Sequence, residues 1–279
     1  MAWCRGRAVA DRRIERAWVD LHCHVDLYPD HAGVIAECDR LGIATLAITT
    51  TPRAFERNVQ LAAGSPFVEV ALGLHPQLVA SRSDEIGLFE GLLAQTRFVG
   101  EIGLDAGSKF YASFAEQQRV FERILRSCDE QGGKVLSIHS VRSVSKVLGH
   151  LERSLRSGSC VPVLHWFTGT TSEARRALAM GCYFSINSKM VSSPKSAALI
   201  RSLPLDRVLT ETDGPFVQIA GRPSRPTDIP STVVGLSELI GADSQVLERR
   251  ILENYGSLTS PAAGSRSRPA GTREGDLFG

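Results

Sequence analysis

Two arrangements of apolar residues alternate along the chain: short unbroken runs, and longer stretches in which apolar positions recur every three or four residues. Ile43-Ala44-Thr45-Leu46-Ala47-Ile48 is of the first kind. It lacks the polar–apolar alternation of a half-exposed strand, and so predicts a strand covered on both faces. Comparable runs fall at 17–24, 67–73, 97–105, 135–139, 161–165, 182–186 and 207–211. Helical spacing marks the segments between them, 31–41, 53–63, 84–95, 113–131, 143–155, 171–180 and 194–202, and then 231–240 and 244–255. In 113–131, for instance, Phe114, Phe121, Ile124, Leu125 and Cys128 lie near one face of a helix. Gly42 and the pair Gly132-Gly133 stand where helices stop.

A strand signal followed by a helix signal, repeated round the chain, is the pattern of an α/β fold of the (β/α)8 TIM-barrel type, and 279 residues suffice for one such barrel. The parallel direction of the strands follows from that alternation. The expected boundaries are a basic extension over 1–16, a barrel over 17–258, and a Gly/Ser/Pro/Arg-rich tail over 259–279 predicted to be disordered. The basic start has no hydrophobic segment or cleavage pattern of a secretory signal, and reads as a frayed start rather than an Arg-rich transit peptide.

Composition adds limits. A hydrophobic fraction of 43%, a charged fraction of 22% and a net charge of +2 are those of an ordinary soluble protein, so any nucleic-acid-binding surface has to be local. No run of eighteen apolar residues offers a membrane span. The cysteines (Cys4, Cys23, Cys38, Cys128, Cys160, Cys182) show no CxxC, which fits a reducing cytoplasm and thiols used as small core residues.

Chemistry enters through position. In Asp20-Leu21-His22-Cys23-His24, strand alternation turns His22 and His24 to one side and Leu21 and Cys23 to the other. An isolated HxH more often marks two surface histidines, and His139 or His165 alone more often a core histidine. The set is different: His22, His24, His75, Glu101, His139, His165 and Asp213 all lie at or just past the C-terminal ends of predicted strands. Those ends form the face of a (β/α)8 barrel on which sites are built. Of the histidines, only His31 and His150 fall on predicted helices or their edges.

Four imidazoles and two carboxylates exceed one ion's needs but suit two divalent ions roughly 3.5–4 Å apart with a bridging carboxylate. The expected assignment gives one ion His22, His24, Glu101 and Asp213, and the other Glu101, His139 and His165. Imidazole-rich ligation favours Zn, Mn or Fe, with Mg permitted by the carboxylates. Asp213 is also placed to orient or deprotonate a water. His75, followed by Pro76, is expected to hold substrate or a developing charge.

The motifs Asp20-Leu21-His22-Cys23-His24, Gly73-Leu74-His75-Pro76, Gly100-Glu101-Ile102-Gly103-Leu104-Asp105, Ile138-His139-Ser140, His165-Trp166-Phe167-Thr168-Gly169 and Glu211-Thr212-Asp213-Gly214-Pro215 occur in one order across 19–258. Together they resemble the TatD family of metal-dependent deoxyribonucleases, within the amidohydrolase superfamily. Asn254-Tyr255-Gly256-Ser257-Leu258 resembles the family's closing motif. The resemblance implies a divalent-metal nuclease, often a 3′-to-5′ exonuclease on DNA, cytoplasmic and commonly monomeric. Glu101 stands where the wider superfamily often has a carboxylated lysine, which favours the TatD branch.

Two positions depart from the family pattern. Its arginine two residues after the strand-five histidine is here one later, at Arg142, and Trp166 replaces a smaller residue. An aromatic there stacks on a base or fills space under a loop. Asp20, Trp166, Ser185-Ile186-Asn187-Ser188-Lys189 and Asp213-Gly214-Pro215-Phe216 resemble more specifically the TatD-like member of the Qat anti-phage defence systems, which implies partner proteins of such a system. Arg53, Lys109, Arg142, Lys189, Arg222 and Arg225 are the candidates for gripping phosphate, with Arg222 and Arg225 foremost. The alternatives to a DNA nuclease are a hydrolase of a small amide, ester or phosphodiester, and a defence-complex subunit with a structural metal site.

Overall fold

The computed structural model describes residues 17–260. The predicted extension 1–16, the tail beyond Ser260 and Cys4 lie outside the described residues. Eight strands carry the barrel: β1 (Trp18–Cys23), β2 (Ile43–Ile48), β3 (Val68–Ala71), β4 (Phe98–Gly103), β5 (Lys134–His139), β6 (Cys160–His165), β7 (Tyr183–Ile186) and β8 (Val208–Thr210). Around them run α1 (His31–Leu41), α2 (Pro52–Ala62), α3 (Val79–Arg82), α4 (Ile86–Leu92), α5 (Phe114–Gln131), α6 (Val144–Ser154), α7 (Thr171–Ala179), α8 (Ser188–Val191), α9 (Pro194–Ser202), α10 (Ile229–Ile240) and α11 (Ser244–Thr259). The expected strand–helix alternation is the observed one. The elements it missed, α3, α8 and a hairpin of β9 (Gln218–Ile219) and β10 (Arg222–Pro223), are too short to show a period.

Every pairing among β1–β8 is parallel, in two ladders, β1-β2-β3 and β4-β5-β6-β7-β8. A parallel bridge between Leu72 and Val99 links the ladders on one side. On the other, the Thr210 hydroxyl donates to the Val19 carbonyl at 2.5 Å and the Asp213 amide to the His22 carbonyl at 2.8 Å, so β8 meets β1 and the barrel closes.

The unbroken apolar runs have the consequence they predict: every residue of β2, β4 and β5 is buried. Val120, Phe121, Ile124, Leu125 and Cys128 of α5 turn inward on the other side of that layer. Removing a side chain such as Phe121 from water contributes roughly 1.5–3 kcal/mol. Gly42, at φ 66°, ends α1 in the left-handed conformation that favours glycine. Helix α7 begins with a reciprocal capping box between Thr170 and Glu173. At the far end of the chain, α11 runs one residue past the expected boundary. Arg97 reaches it, donating to the carbonyls of Leu258 (3.0 Å), Thr259 and Ser260 (2.8 Å). Cys23, Cys38, Cys128, Cys160 and Cys182 are buried free thiols.

Candidate active site

At the C-terminal mouth of the barrel, β1 delivers His22 from its interior and His24 from the residue after its last. Their Nε2 atoms lie 3.2 Å apart. The two residues share a face as alternation requires, and the end of the strand at Cys23 lets the rings converge beyond strand spacing. Glu101 reaches the same point from β4. Its Oε2 is 3.4 Å from both Nε2 atoms, while its Oε1 faces His139 Nδ1 at 2.6 Å, His75 Nε2 at 3.1 Å and His165 Nε2 at 3.5 Å. Asp213 Oδ1 lies 3.7 Å from the Nε2 atoms of His22 and His24. Residues separated by up to 191 positions thus meet around one buried carboxylate, and three overlapping sets can hold an ion: His22/His165/Asp213, His22/His24/Glu101 and His75/Glu101/His139.

Glycine makes this closeness possible. A Cβ on Gly103, at φ 137°, would lie 2.1 Å from the His139 carbonyl oxygen, and one on Gly73 would lie 2.0 Å from that of Thr49. Larger residues there would push β4 away from its neighbours and Glu101 out of the cluster.

A further shell of buried side chains fixes the imidazoles. Ser137 Oγ lies 2.8 Å from His22 Nδ1, and Asp105 Oδ2 lies 3.1 Å from His139 Nε2 while accepting from Gln77 Nε2 at 2.7 Å. Glu211, fully buried, meets His165 Nδ1 at 3.2 Å and accepts from the Trp166 amide at 3.0 Å, Asn187 Nδ2 at 2.9 Å and the Ser185 hydroxyl. Asp20 accepts from the Thr212 amide (2.9 Å) and hydroxyl (2.5 Å) and from the His22 amide (3.3 Å), holding β1 against the Asp213 turn. Sequence reading gave no role to Ser137, Asp105 or Glu211. A signal was present for Ser137, two residues from His139 within β5 and so on the same face; Asp105 and Glu211 follow the ends of their strands, where alternation no longer applies.

The electrostatics follow from this packing. Burial opposes ionisation of Glu101, but His75, His139, His165 and His22 outweigh it and hold the carboxyl well below its usual range. Burial likewise opposes protonation of His139 and His165, yet Asp105 with Glu101, and Glu211 with Glu101, raise both. His22 is driven well down by burial and by His165, whose ring stacks on it at 3.8 Å. Burial pushes Asp213 up to about 7 despite His165 and His24.

The donor chemistry fits cations. Asp105 and Glu211 claim the outer nitrogens of His139 and His165, which turns the inner nitrogens toward Glu101 Oε1. A lone pair facing a carboxylate is repulsive unless positive charge, as a proton or a metal ion, lies between them. His75 differs. Its Nδ1 accepts from the Gln77 amide at 3.1 Å, so its proton sits on Nε2 and points at Glu101 as a donor. That nitrogen faces the cluster and belongs to one of the three sets that can hold an ion.

The basic candidates divide. Arg222 is bound at both ends of its fork by Asp228 (2.8 and 2.6 Å), and Arg225 bridges Asp30 (3.1 and 3.0 Å) and Glu37 (3.0 Å). The two arginines favoured for phosphate therefore tie the post-β8 loop to itself and to α1, because acids that are distant or unremarkable in sequence reach them first. Arg53 pairs with Glu85 at 3.0 Å, and Lys109 lies over the Phe110 ring. Arg142, at φ 52°, is exposed after His139 and lines a 260 Å³ cavity with Lys146 and Thr168; Lys189 is exposed on α8. Trp166 is half-buried and packs against the core, edge-on to His165 at 6.5 Å, which favours space-filling over base stacking. A cavity of 1240 Å³ lies at the opposite end of the barrel, beside Cys160, Tyr183 and Leu258, away from all of these groups.

A family model described as TatD related DNase matches residues 19–260. The chain is 28% identical over 254 residues to an uncharacterized metal-dependent hydrolase of Escherichia coli K12, YjjV, covering 85% of this chain and 95% of that one. It is 31% identical over 191 residues to the 3′-5′ ssDNA/RNA exonuclease TatD of Cronobacter sakazakii, covering 63% and 71% respectively. The crystal structure of Escherichia coli YjjV superposes with a TM-score of 0.77 and 26% identity, over 87% of this chain and 97% of that one.

Proposed function

The chain belongs to the TatD family of metal-dependent deoxyribonucleases, and from that premise we propose that it hydrolyses DNA phosphodiester bonds from the 3′ end of a single strand, using two divalent cations. The observation that supports this most directly is the division of Glu101, one oxygen toward His22 and His24 and the other toward His75, His139 and His165. A carboxylate so placed is suited to bridge. In this reading His22, His24, Glu101 and Asp213 hold one cation, and Glu101, His139 and His165 the other, of Zn, Mn or Mg type. Cations there supply Lewis acidity toward a phosphoryl oxygen and lower the pKa of water.

The protein's own groups supply the rest. Asp213, whose carboxyl is raised by burial, orients the attacking water and takes its proton. His75 Nε2–H, which faces Glu101 Oε1 here, is the donor this reading turns toward the charge that builds on the phosphate. Arg142 and Lys189, which stand exposed at the ends of β5 and β7, meet phosphates of the bound strand. The buried thiols agree with work in a reducing cytoplasm. A setting in a Qat-type defence system, with its partner proteins, is supported by the sequence motifs alone.

The test is digestion of 3′- and 5′-labelled single-stranded oligonucleotides across Zn, Mn and Mg, with metal content measured on the purified protein. Glu101→Ala and Asp213→Asn are expected to remove cleavage while leaving the circular dichroism spectrum unchanged. Full cleavage by either variant would overturn the assignment, and a ladder growing from the 5′ end would overturn the polarity. Phage challenge of cells carrying either variant tests the defence setting.

A further inference from the structure

Phe216 stands at the rim of the cluster with 60% of its surface exposed, and its ring meets the edge of His24 at a centroid distance of 5.0 Å. Other large apolar side chains are exposed in the described residues, among them Tyr111, Val141 and Val246, but the ring of Phe216 lies against an imidazole of the site. It stands outside the apolar cluster that fills the barrel, against which Trp166 is packed. The fold therefore gains little from a phenyl ring at this position.

The backbone that carries the ring is nevertheless held in place. The amides of Phe216 and Val217 both donate to the Asp213 carbonyl, at 3.0 and 3.1 Å, and the His24 amide donates to the Gly214 carbonyl at 2.8 Å. Val217 is buried beneath, and its carbonyl accepts from the Ser224 amide at 2.8 Å. Gly214 is packed so closely that a Cβ there would lie 1.9 Å from the Tyr28 hydroxyl. A flat apolar face held beside a candidate ligand, pre-set by the turn that carries Asp213, is what a planar π-system would need in order to bind without ordering the protein first.

We propose that Phe216 is the platform on which the terminal base of the substrate strand stacks, so that the site reads a nucleobase as well as a phosphodiester. The proposal rests on the DNA-hydrolase reading above and names the part of the substrate that this edge of the site recognises. Stacking is blind to base identity, because every base has a π-face, so the platform confers a requirement for a base without a sequence preference.

The experiment uses the full chain and two single-stranded oligonucleotides, identical except that the 3′ nucleotide of one carries a base and that of the other a tetrahydrofuran abasic analogue. Wild type is expected to favour the base-bearing end in KM, by about 5- to 150-fold, the worth of one base–aromatic stack. Phe216→Ala is expected to abolish that ratio, and Phe216→Trp to restore it. Anisotropy measurements of binding make the same comparison where neither strand is cut. A Phe216→Ala protein that keeps the wild-type ratio, or a wild type indifferent to the terminal base, would overturn the platform. Absence of metal-dependent cleavage of both strands, with the binding ratio intact, would instead count against the hydrolase reading.

Discussion

Replacing Glu211 by Gln separates a site that merely gathers histidines from one that aims them. The carboxylate is fully buried and surrounded by donors: His165 Nδ1, the Trp166 amide, Asn187 Nδ2 and the Ser185 hydroxyl. Glutamine preserves the shape but replaces one acceptor with an NH2 group. Turned one way, that NH2 faces the Trp166 amide and Asn187 Nδ2, and a buried donor left unpaired costs about 1–3 kcal/mol; turned the other way, it faces Ser185 Oγ, which can accept, and competes with the outer N–H of His165. His165 also loses the charge that fixes its outer N–H and so aims Nε2 inward. Removing such an outer partner lowers metal affinity about 10- to 100-fold, or about 1.4–2.7 kcal/mol. The variant is therefore expected to unfold at lower denaturant concentration without metal, and to bind Zn or Mn more weakly by that factor in isothermal titration calorimetry. Wild-type affinity in a folded Glu211→Gln protein would refute the argument that Glu211 orients His165.

Other perturbations probe different parts of the molecule. His150 is buried against Phe121 with neither ring nitrogen hydrogen-bonded, and burial lowers its pKa. Below about pH 6.5 the unfolded chain accordingly takes up a proton that the folded chain refuses, so wild type should lose stability on acidification relative to His150→Leu, by up to about 1.4 kcal/mol per pH unit; parallel denaturant curves at pH 7.5 and 5.5 would show it, and parallel slopes would sink it. Arg97→Ala removes the donors to the last carbonyls of α11 and should cost about 2–3 kcal/mol in unfolding measurements while sparing turnover. Arg222→Ala should leave KM for DNA unchanged, since Asp228 already occupies its fork, whereas Arg142→Ala should raise it; steady-state kinetics on one oligonucleotide compares the two.

The strands that were easiest to read in the sequence are those whose burial is complete. In β2, β4 and β5 every side chain is inside, so composition alone announces them. The clustered histidines and acids were legible as a set: one histidine ending an apolar run is more often a core residue, but several at strand ends point to the mouth of a barrel. Support was harder to see. Ser137 and Glu211 are polar residues within or just after apolar strands, and their partners His22 and His165 lie 115 and 46 positions away. Register shifts in β1 and β4 also break the strict two-residue period just where Asp20 and Glu101 stand. Arg225 looked free because nothing in its neighbourhood shows that Asp30 and Glu37, far away in the sequence, come to meet it, whereas Asp228, which takes the fork of Arg222, is only six positions away and showed no helical or strand spacing that would pair them.

The seam between β8 and β1 has one more consequence. Its hydrogen bonds come from Val19, Asp20, His22, Thr210, Thr212 and Asp213, in or beside the short stretches that furnish the centre. Assembly of the cluster therefore waits until the first and last strands of the barrel have found each other. A chain still being synthesised, or one whose seam has sprung open, carries the individual histidines and acids but not their assembled cluster.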